Sequence, residues 1–212
     1  INRNFTSLFG GLAQVGTLYY VDPVHGSDTL GTGLTASAAY QTLATAYNAC
    51  ADGHNDIVVL IGNGATTGTA RVDSAFTWSK SATHLVGVCS PTHFSQRARI
   101  APTSTTTAFA NFFTISGSGC LFQNIQWFHG FATGTTSAIA VTVSGQRNVF
   151  DHCHIAGLGD AESAQNSGSR SLKISGAGEN VFEDCVIGID TVTRTTSNAS
   201  LEFSGGTARN LF

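Results

Sequence analysis

From Phe113 onward the chain alternates apolar and polar residues in short bursts, and the bursts repeat. The segments "FTISGSGCLFQNIQW" (113–127), "VTVSGQRNVFDHCHI" (141–155), "LKISGAGENVFEDCVI" (172–187) and "LEFSGGTARNLF" (201–212) align on a Ser-Gly pair and on a phenylalanine. The Ser-Gly pairs begin at Ser116, Ser144, Ser175 and Ser204, with spacings of 28, 31 and 29, and Phe122, Phe150, Phe182 and Phe212 follow at 28, 32 and 30. Period-two alternation at Val141 and Val143, or at Leu172 and Ile174, predicts a strand, and the Ser-Gly behind it predicts the turn that ends it. A second short strand carries Val149 and Phe150, or Val181 and Phe182. A polar pair, Asp151-His152 or Glu183-Asp184, then bends the chain, and Cys153 with Ile155, or Cys185 with Ile187, forms the next inward-facing pair.

Strands this short bury too little apolar surface alone and gain stability by stacking on the units above and below. The pattern predicts an all-β fold, a right-handed parallel β-helix with three-strand coils of 28–32 residues, rising by about 4.8 Å per coil. The expected ladders are Phe122/Phe150/Phe182/Phe212, Ile125/Cys153/Cys185 and Ile115/Val143/Ile174/Phe203. Insertions at one corner, over 128–138, 157–170 and 188–199, account for the uneven spacing. Upstream, "NDIVVLIGNG" (55–64), "FTWSKSATHLVGVC" (76–89) and "ARIAP" (98–102) read as strands. "YQTLATAYNACADG" (40–53) reads as the single helix, placed to cover the open end of the stack. Residues 1–17 read as an N-terminal arm or a lid on the first coil, and 18–212 as one β-helix domain. Phe212 falls in mid-coil, so the coil is expected to be completed by further chain or by a neighbour.

Composition agrees with a turn-rich β protein: charged residues make up 11% and glycines number 24. Ten basic and thirteen acidic residues give a net charge of −3 without a basic cluster, which argues against nucleic acid. No apolar run is long enough to span a bilayer, and the first residues lack the order of a signal peptide. The five cysteines, Cys50, Cys89, Cys120, Cys153 and Cys185, form no CxxC, and their even spacing follows the repeat instead of a zinc knuckle.

The stretch "LYYVDPVHGSDTLGTGLTASAAYQTLATAYNAC" (18–50) resembles the opening of pectate-lyase-like β-helix proteins, through Tyr20, Val21, Asp22, Gly26, Ser27, Asp28, Gly31, Thr42, Leu43 and Ala46. The resemblance implies the fold. For activity it implies a broad range: polysaccharide lyases, glycosidases, bacterial surface proteins, phage tailspikes and other virion appendages. Gly26-Ser27-Asp28 reads as a turn. Calcium held by Asp22 and Asp28 is the sharper alternative, lacking the further oxygen ligands such a site needs; no cofactor is otherwise expected.

Asp151, His152 and His154 have the chemistry of metal ligands. Their repeat partners, however, make 152 a polar turn slot and 154 an outward strand slot, so solvated turn residues are expected and no metal. Cys153 and Cys185 read as stacked buried thiols, with a disulfide as the alternative. Among lyases of the resembled fold, acidic clusters hold calcium beside a basic residue, and hydrolases use paired carboxylates. Candidates here are Asp160, Glu162 and Asp190, with Arg170 and Arg194 as charge partners. In "QWFHGF" (126–131), Trp127 is expected to point inward, while Phe128, His129 and Phe131 are candidates for glycan or partner contact.

Two functions are expected. One is a structural or adhesive virion component, a tailspike, head fibre or capsid decoration, docked on other subunits through Phe5, Leu8, Phe9 and Leu12 and forming a homo-oligomer. The alternative is a polysaccharide lyase or glycosidase acting on an acidic or cell-surface polysaccharide. Passive glycan binding is a third reading, and a virion or extracellular location fits all three.

Overall fold

The computed structural model describes residues 16–89, 98–103, 109–130, 137–189, 192 and 199–212. Among these residues the strands form three sheets in which every pairing is parallel. The first sheet stacks Leu18–Val21, Asp56–Ile61, Thr83–Val88, Leu121–Gln123, Val149–Asp151 and Val181–Glu183. The second stacks Ala70–Val72, Arg99–Pro102, Gln126–His129, His154–Leu158 and Val186–Ile187; the third stacks Phe76–Trp78, Asn111–Ile115, Ile139–Val143, Arg170–Ser175 and Leu201–Ser204. The chain visits the third, first and second sheets in turn and then returns one level along, which is the path of a parallel β-helix.

The core ladders follow the expected register. Phe122, Phe150, Phe182 and Phe212 stack with ring centroids 5.0, 4.4 and 4.6 Å apart. Ile115, Val143, Ile174 and Phe203 are paired coil by coil. Both ladders extend one coil further back than the repeat suggests. "FTWSKSATHLVGVC" breaks at Ser79–Ala82, so Phe76–Trp78 joins the third sheet and Thr83–Val88 the first. That places Trp78 over Ile115 and Leu85 over Phe122.

The helix expected within 40–53 spans Leu43–Ala49 and is capped by Thr42, whose side chain accepts the Thr45 amide. It buries Leu43, Ala46 and Tyr47. A second helix, Ala161–Gln165, lies inside an insertion read as loop; Asp160 starts it by accepting the Ser163 amide at 2.9 Å. The insertions are also shorter than expected at their start, because Gln126–His129 and His154–Leu158 continue as strand.

Two corners of each coil need a left-handed residue. Between the first and second sheets it is Asn124, His152 or Asp184, with φ of 55, 50 and 49°. Asn and Asp are the non-glycine residues that best tolerate this region. Between the third and first sheets it is Gly119, Arg147, Glu179 or Arg209. The residue after each of the last three is an asparagine, and Asn148, Asn180 and Asn210 form a ladder along the axis. Asn148 Oδ1 accepts the Cys120 amide at 2.9 Å, and its Nδ2 donates to Gly117 O at 3.1 Å. Asn180 Oδ1 accepts the Asn148 amide at 2.9 Å, and Asn210 Oδ1 accepts the Asn180 amide at 3.0 Å.

His84 points outward from the first sheet yet is 3% exposed. Its Nδ1 accepts the Leu121 amide at 3.0 Å, so Nε2 carries the proton and donates to Asn55 Oδ1 at 3.3 Å. Burial holds its pKa below the ordinary value. Between that lowered pKa and about 6.5 the unfolded chain binds a proton that the folded chain does not, so stability falls as pH drops through this window. Urea melts at pH 7 and pH 5 should show the loss, and His84→Gln should reduce it; His129, also lowered by burial, adds a contribution of the same sign.

Candidate functional site

The outer face of the third sheet carries rows set by the register. Thr77, Thr114 and Thr142 lie over one another in successive coils, and the same row continues as Lys173 and Glu202. Beside it run Ser116 and Ser144, both exposed, then Ser175 paired with Ser204. The face is thus hydroxyl-rich and uncharged until its last two coils, where charge concentrates.

There Glu202 lies between two cations. Arg170 Nε donates to Glu202 Oε2 at 2.6 Å, and Lys173 Nζ lies 3.1 Å from Oε1. Arg170 is fixed further by donating Nη1 to the Ser167 and Ser169 carbonyls, both at 2.8 Å. Burial alone would raise the Glu202 carboxyl; the hydrogen bonds from Lys173 and Arg170 outweigh it and hold the group below its usual value. At the far end of the same strands, Glu179 lies between Arg147, 2.6 Å away, and Arg209. These three side chains line a shallow cleft floored by Gly176, Gly178 and Gly206. Each cluster holds two cations and one carboxylate, so this end of the face is locally positive on a chain whose net charge is −3.

The residues singled out from sequence are placed differently. Asp160 is spent on capping Ala161–Gln165, and Glu162 is exposed in that helix's first turn. His129 is 1% exposed: Nε2 donates to Phe109 O at 3.0 Å, and the ring meets Phe109 and Phe112 edge-on. It packs under the corner and presents no surface to a ligand. Phe128 is half-buried, with the Arg99 guanidinium 5.5 Å from its ring centre and Gly130 and Gly159 against it. Trp127 points into the core with no exposure. Phe131, Asp190 and Arg194, and the arm positions Phe5, Leu8, Phe9 and Leu12, lie outside the described residues.

Asp22 and Asp28 are each occupied by turn donors. Asp22 Oδ1 accepts the Val24 and His25 amides at 2.9 and 3.0 Å. Asp28 Oδ1 accepts the Gln41 and Thr42 amides at 2.8 and 3.0 Å, and its Oδ2 the Thr42 hydroxyl at 2.7 Å. These bonds tie the turn to the start of the capping helix.

His152 lies between two carboxylates: Nδ1 is 2.5 Å from Asp151 and Nε2 is 3.6 Å from Asp184. The acids lie off opposite sides of the ring and do not converge, and among the described residues no group of three acids, histidines or cysteines is arranged to hold a metal. His154 departs from the solvated reading. It is 5% exposed, with Nδ1 2.9 Å from the Gln126 amide nitrogen and Nε2 3.0 Å from Gly188 O. Arg99 Nε bonds Gln126 in turn, giving a row of linked side chains on the second sheet.

Solved structures share this architecture. A pectin methylesterase variant in complex with a hexasaccharide superposes with a TM-score of 0.53 at 18% identity, covering 82% of this chain and 49% of that protein. A rhamnogalacturonan lyase gives 0.53 at 13% identity, covering 91% of this chain and 62% of the lyase. The fold they share is the parallel β-helix. At these identities the likeness establishes the fold alone, and the chain spans about half the length of the esterase. No protein-family profile and no curated protein sequence matches the chain.

Proposed function

We propose that this chain is a polysaccharide-directed β-helix that receives an acidic polysaccharide along the outer face of its third sheet. The observation that carries the reading is the Arg170–Glu202–Lys173 cluster, a net positive centre terminating rows of threonine and serine hydroxyls. The hydroxyls supply donors and acceptors to sugar hydroxyls, and the surplus cation supplies a charge-assisted bond to a uronate carboxylate. The esterase and lyase structures of like fold support a carbohydrate ligand. The virion role finds no support in these structures.

Glycoside hydrolysis needs two carboxylates, one of them protonated. Glu202 is ion-paired and held ionised, a poor general acid, so elimination fits this cluster better than hydrolysis. The test is binding and cleavage of polygalacturonate against a neutral galactan. Replacing Arg170 and Lys173 together by Gln should weaken polygalacturonate binding by about 10–100-fold and leave galactan unchanged. Glu202→Gln should strengthen it several-fold by releasing both cations. An unsaturated sugar product would identify elimination. Equal binding of the two polymers, or indifference to the double substitution, would sink the reading.

A further inference from the structure

The outer face of the first sheet changes character along the stack. In its first coils the side chains that alternate with the core residues are largely apolar too: Leu18 and Tyr20 lie over Ile57 and Val59, and these over His84 and Val86. One coil on, the row that holds Val86 continues as Gln123, Asp151 and Glu183, all half-buried or exposed. Ile57, Val59 and Val86 form a cluster separate from the main core, and they are 1%, 1% and 0% exposed although they point away from it.

Such burial needs a layer above the sheet. Among the described residues the apolar side chains packed against the cluster are Leu18 and Tyr20. Both belong to the same sheet, where side chains stand next to one another and leave their tips open. The chain itself supplies a cover at the right place. Gly16 is pressed against the neighbouring strand, where a Cβ would meet Asn55 C, Asn55 O and Asp56 N at 2.4, 2.5 and 2.5 Å. The Thr17 amide donates to Asp56 Oδ1 at 2.6 Å, and the Ile57 amide to Thr17 O at 2.9 Å. Residues 1–15 therefore join at the edge of the patch, beside Leu18 and Ile57. They carry Phe5, Leu8, Phe9, Leu12 and Val15 against a single charged side chain, Arg3. Even at helical rise such a segment measures about 22 Å, whereas the three strands of the patch are about 10 Å across. Residues 90–97 depart from the other end of these strands, beyond Val88, and hold one large apolar side chain, Phe94.

We propose that residues 1–15 fold back over the outer face of the first sheet and dock their apolar side chains on Ile57, Val59 and Val86. The arm is then an intramolecular strap across the first three coils, and its apolar residues are taken up by its own chain and not by a partner subunit. Extent and chemistry match: the apolar rows give way to Gln123 one coil beyond Val86, so the strap has a bounded surface to cover. His84 shares the cover. Both its ring nitrogens are bonded within the sheet, to the Leu121 amide and to Asn55, so the ring turns carbon toward the strap.

The experiment places the photo-crosslinker p-benzoylphenylalanine at Phe9 of the full chain and maps the products by mass spectrometry. Cross-links within one chain, to peptides carrying Ile57–Val59 or His84–Val86, are expected at any dilution. Cross-linked dimers that vanish on dilution would assign the face to a second copy, and links confined to other peptides would place the arm elsewhere; either result overturns the proposal. A second measurement combines Phe9→Ala with Val59→Ala in urea melts. Groups that bury one another couple, so the midpoint shift of the double variant should be smaller than the sum of the two single shifts. Leu30→Ala, at a loop position 88% exposed, should show no such coupling to Val59→Ala. Additive shifts for Phe9 and Val59 would contradict the strap. The cross-link removes no packing from the patch and stands even if Val59→Ala misfolds.

Discussion

Asn148→Ala should destabilise the protein by about 3–5 kcal/mol, more than a typical surface change by an order of magnitude. Asn148 has no exposed surface, and its side chain satisfies the Cys120 amide and the Gly117 carbonyl of the preceding coil. Alanine leaves both groups buried without a partner, at about 1–3 kcal/mol each, and removes the bonds as well. At about 2–4 °C per kcal/mol for a chain of this size, the midpoint of thermal unfolding should fall by roughly 10 °C. Asn148→Asp separates the two functions: the carboxylate still accepts from Cys120 but faces the Gly117 carbonyl with no hydrogen to give. It should be destabilised at pH 7 and partly recover as acid protonates it. Asn210→Ala, at a half-buried position, should cost less. An Asn148→Ala midpoint within a degree of the parent would show that the ladder contributes nothing.

Lys80→Met should be the second largest loss, about 2–4 kcal/mol. Lys80 Nζ donates to the carbonyls of Tyr47 and Cys50, both at 2.7 Å, and of Asn48 at 3.2 Å, closing the end of the capping helix. It also lies 4.7 Å from the centre of the Tyr47 ring. Methionine retains the volume and loses every charge-assisted bond. Because the damage is confined to the cap, limited proteolysis should cut near Leu43–Ala49 before the stacked coils open, and urea unfolding should report the overall cost. Tyr47→Phe probes the other half of the same joint, since Tyr47 Oη accepts the Ser79 and Lys80 amides at 2.6 and 2.8 Å. Intact helix protection in Lys80→Met would contradict this account.

What the sequence made legible was the part governed by side-chain volume. Phe150 and Phe182, Val143 and Ile174, and Cys153 and Cys185 announce a shared inward slot because each is apolar and recurs. Position 152 was equally readable, since Asn124, His152 and Asp184 share a backbone conformation that short polar residues tolerate. The asparagine ladder was present in "RNVF", "ENVF" and "RNLF" but resembles ordinary turn chemistry; only burial shows that these amides satisfy backbone inside the coil. Lys173 and Glu202 likewise occupy one outward slot in "LKIS" and "LEFS", opposite charges directly over each other. The densest aromatic run drew notice instead, yet His129 is covered by Phe109 and Phe112, residues whose approach depends on the path of the corner and not on adjacency in sequence.

The two kinds of corner have unequal freedom. Between the first and second sheets, each of the last three full coils turns through two residues, 124–125, 152–153 and 184–185, with the left-handed residue first. Between the second and third sheets the connections run over 130–138, 159–169 and 188–200 and lengthen coil by coil. An insertion at the tight corner would shift every following side chain out of its ladder, whereas one at the long corner leaves the register untouched. Descendants of such a chain can therefore acquire new chemistry along one edge only, the edge bordering the third sheet, while the opposite edge stays fixed in length.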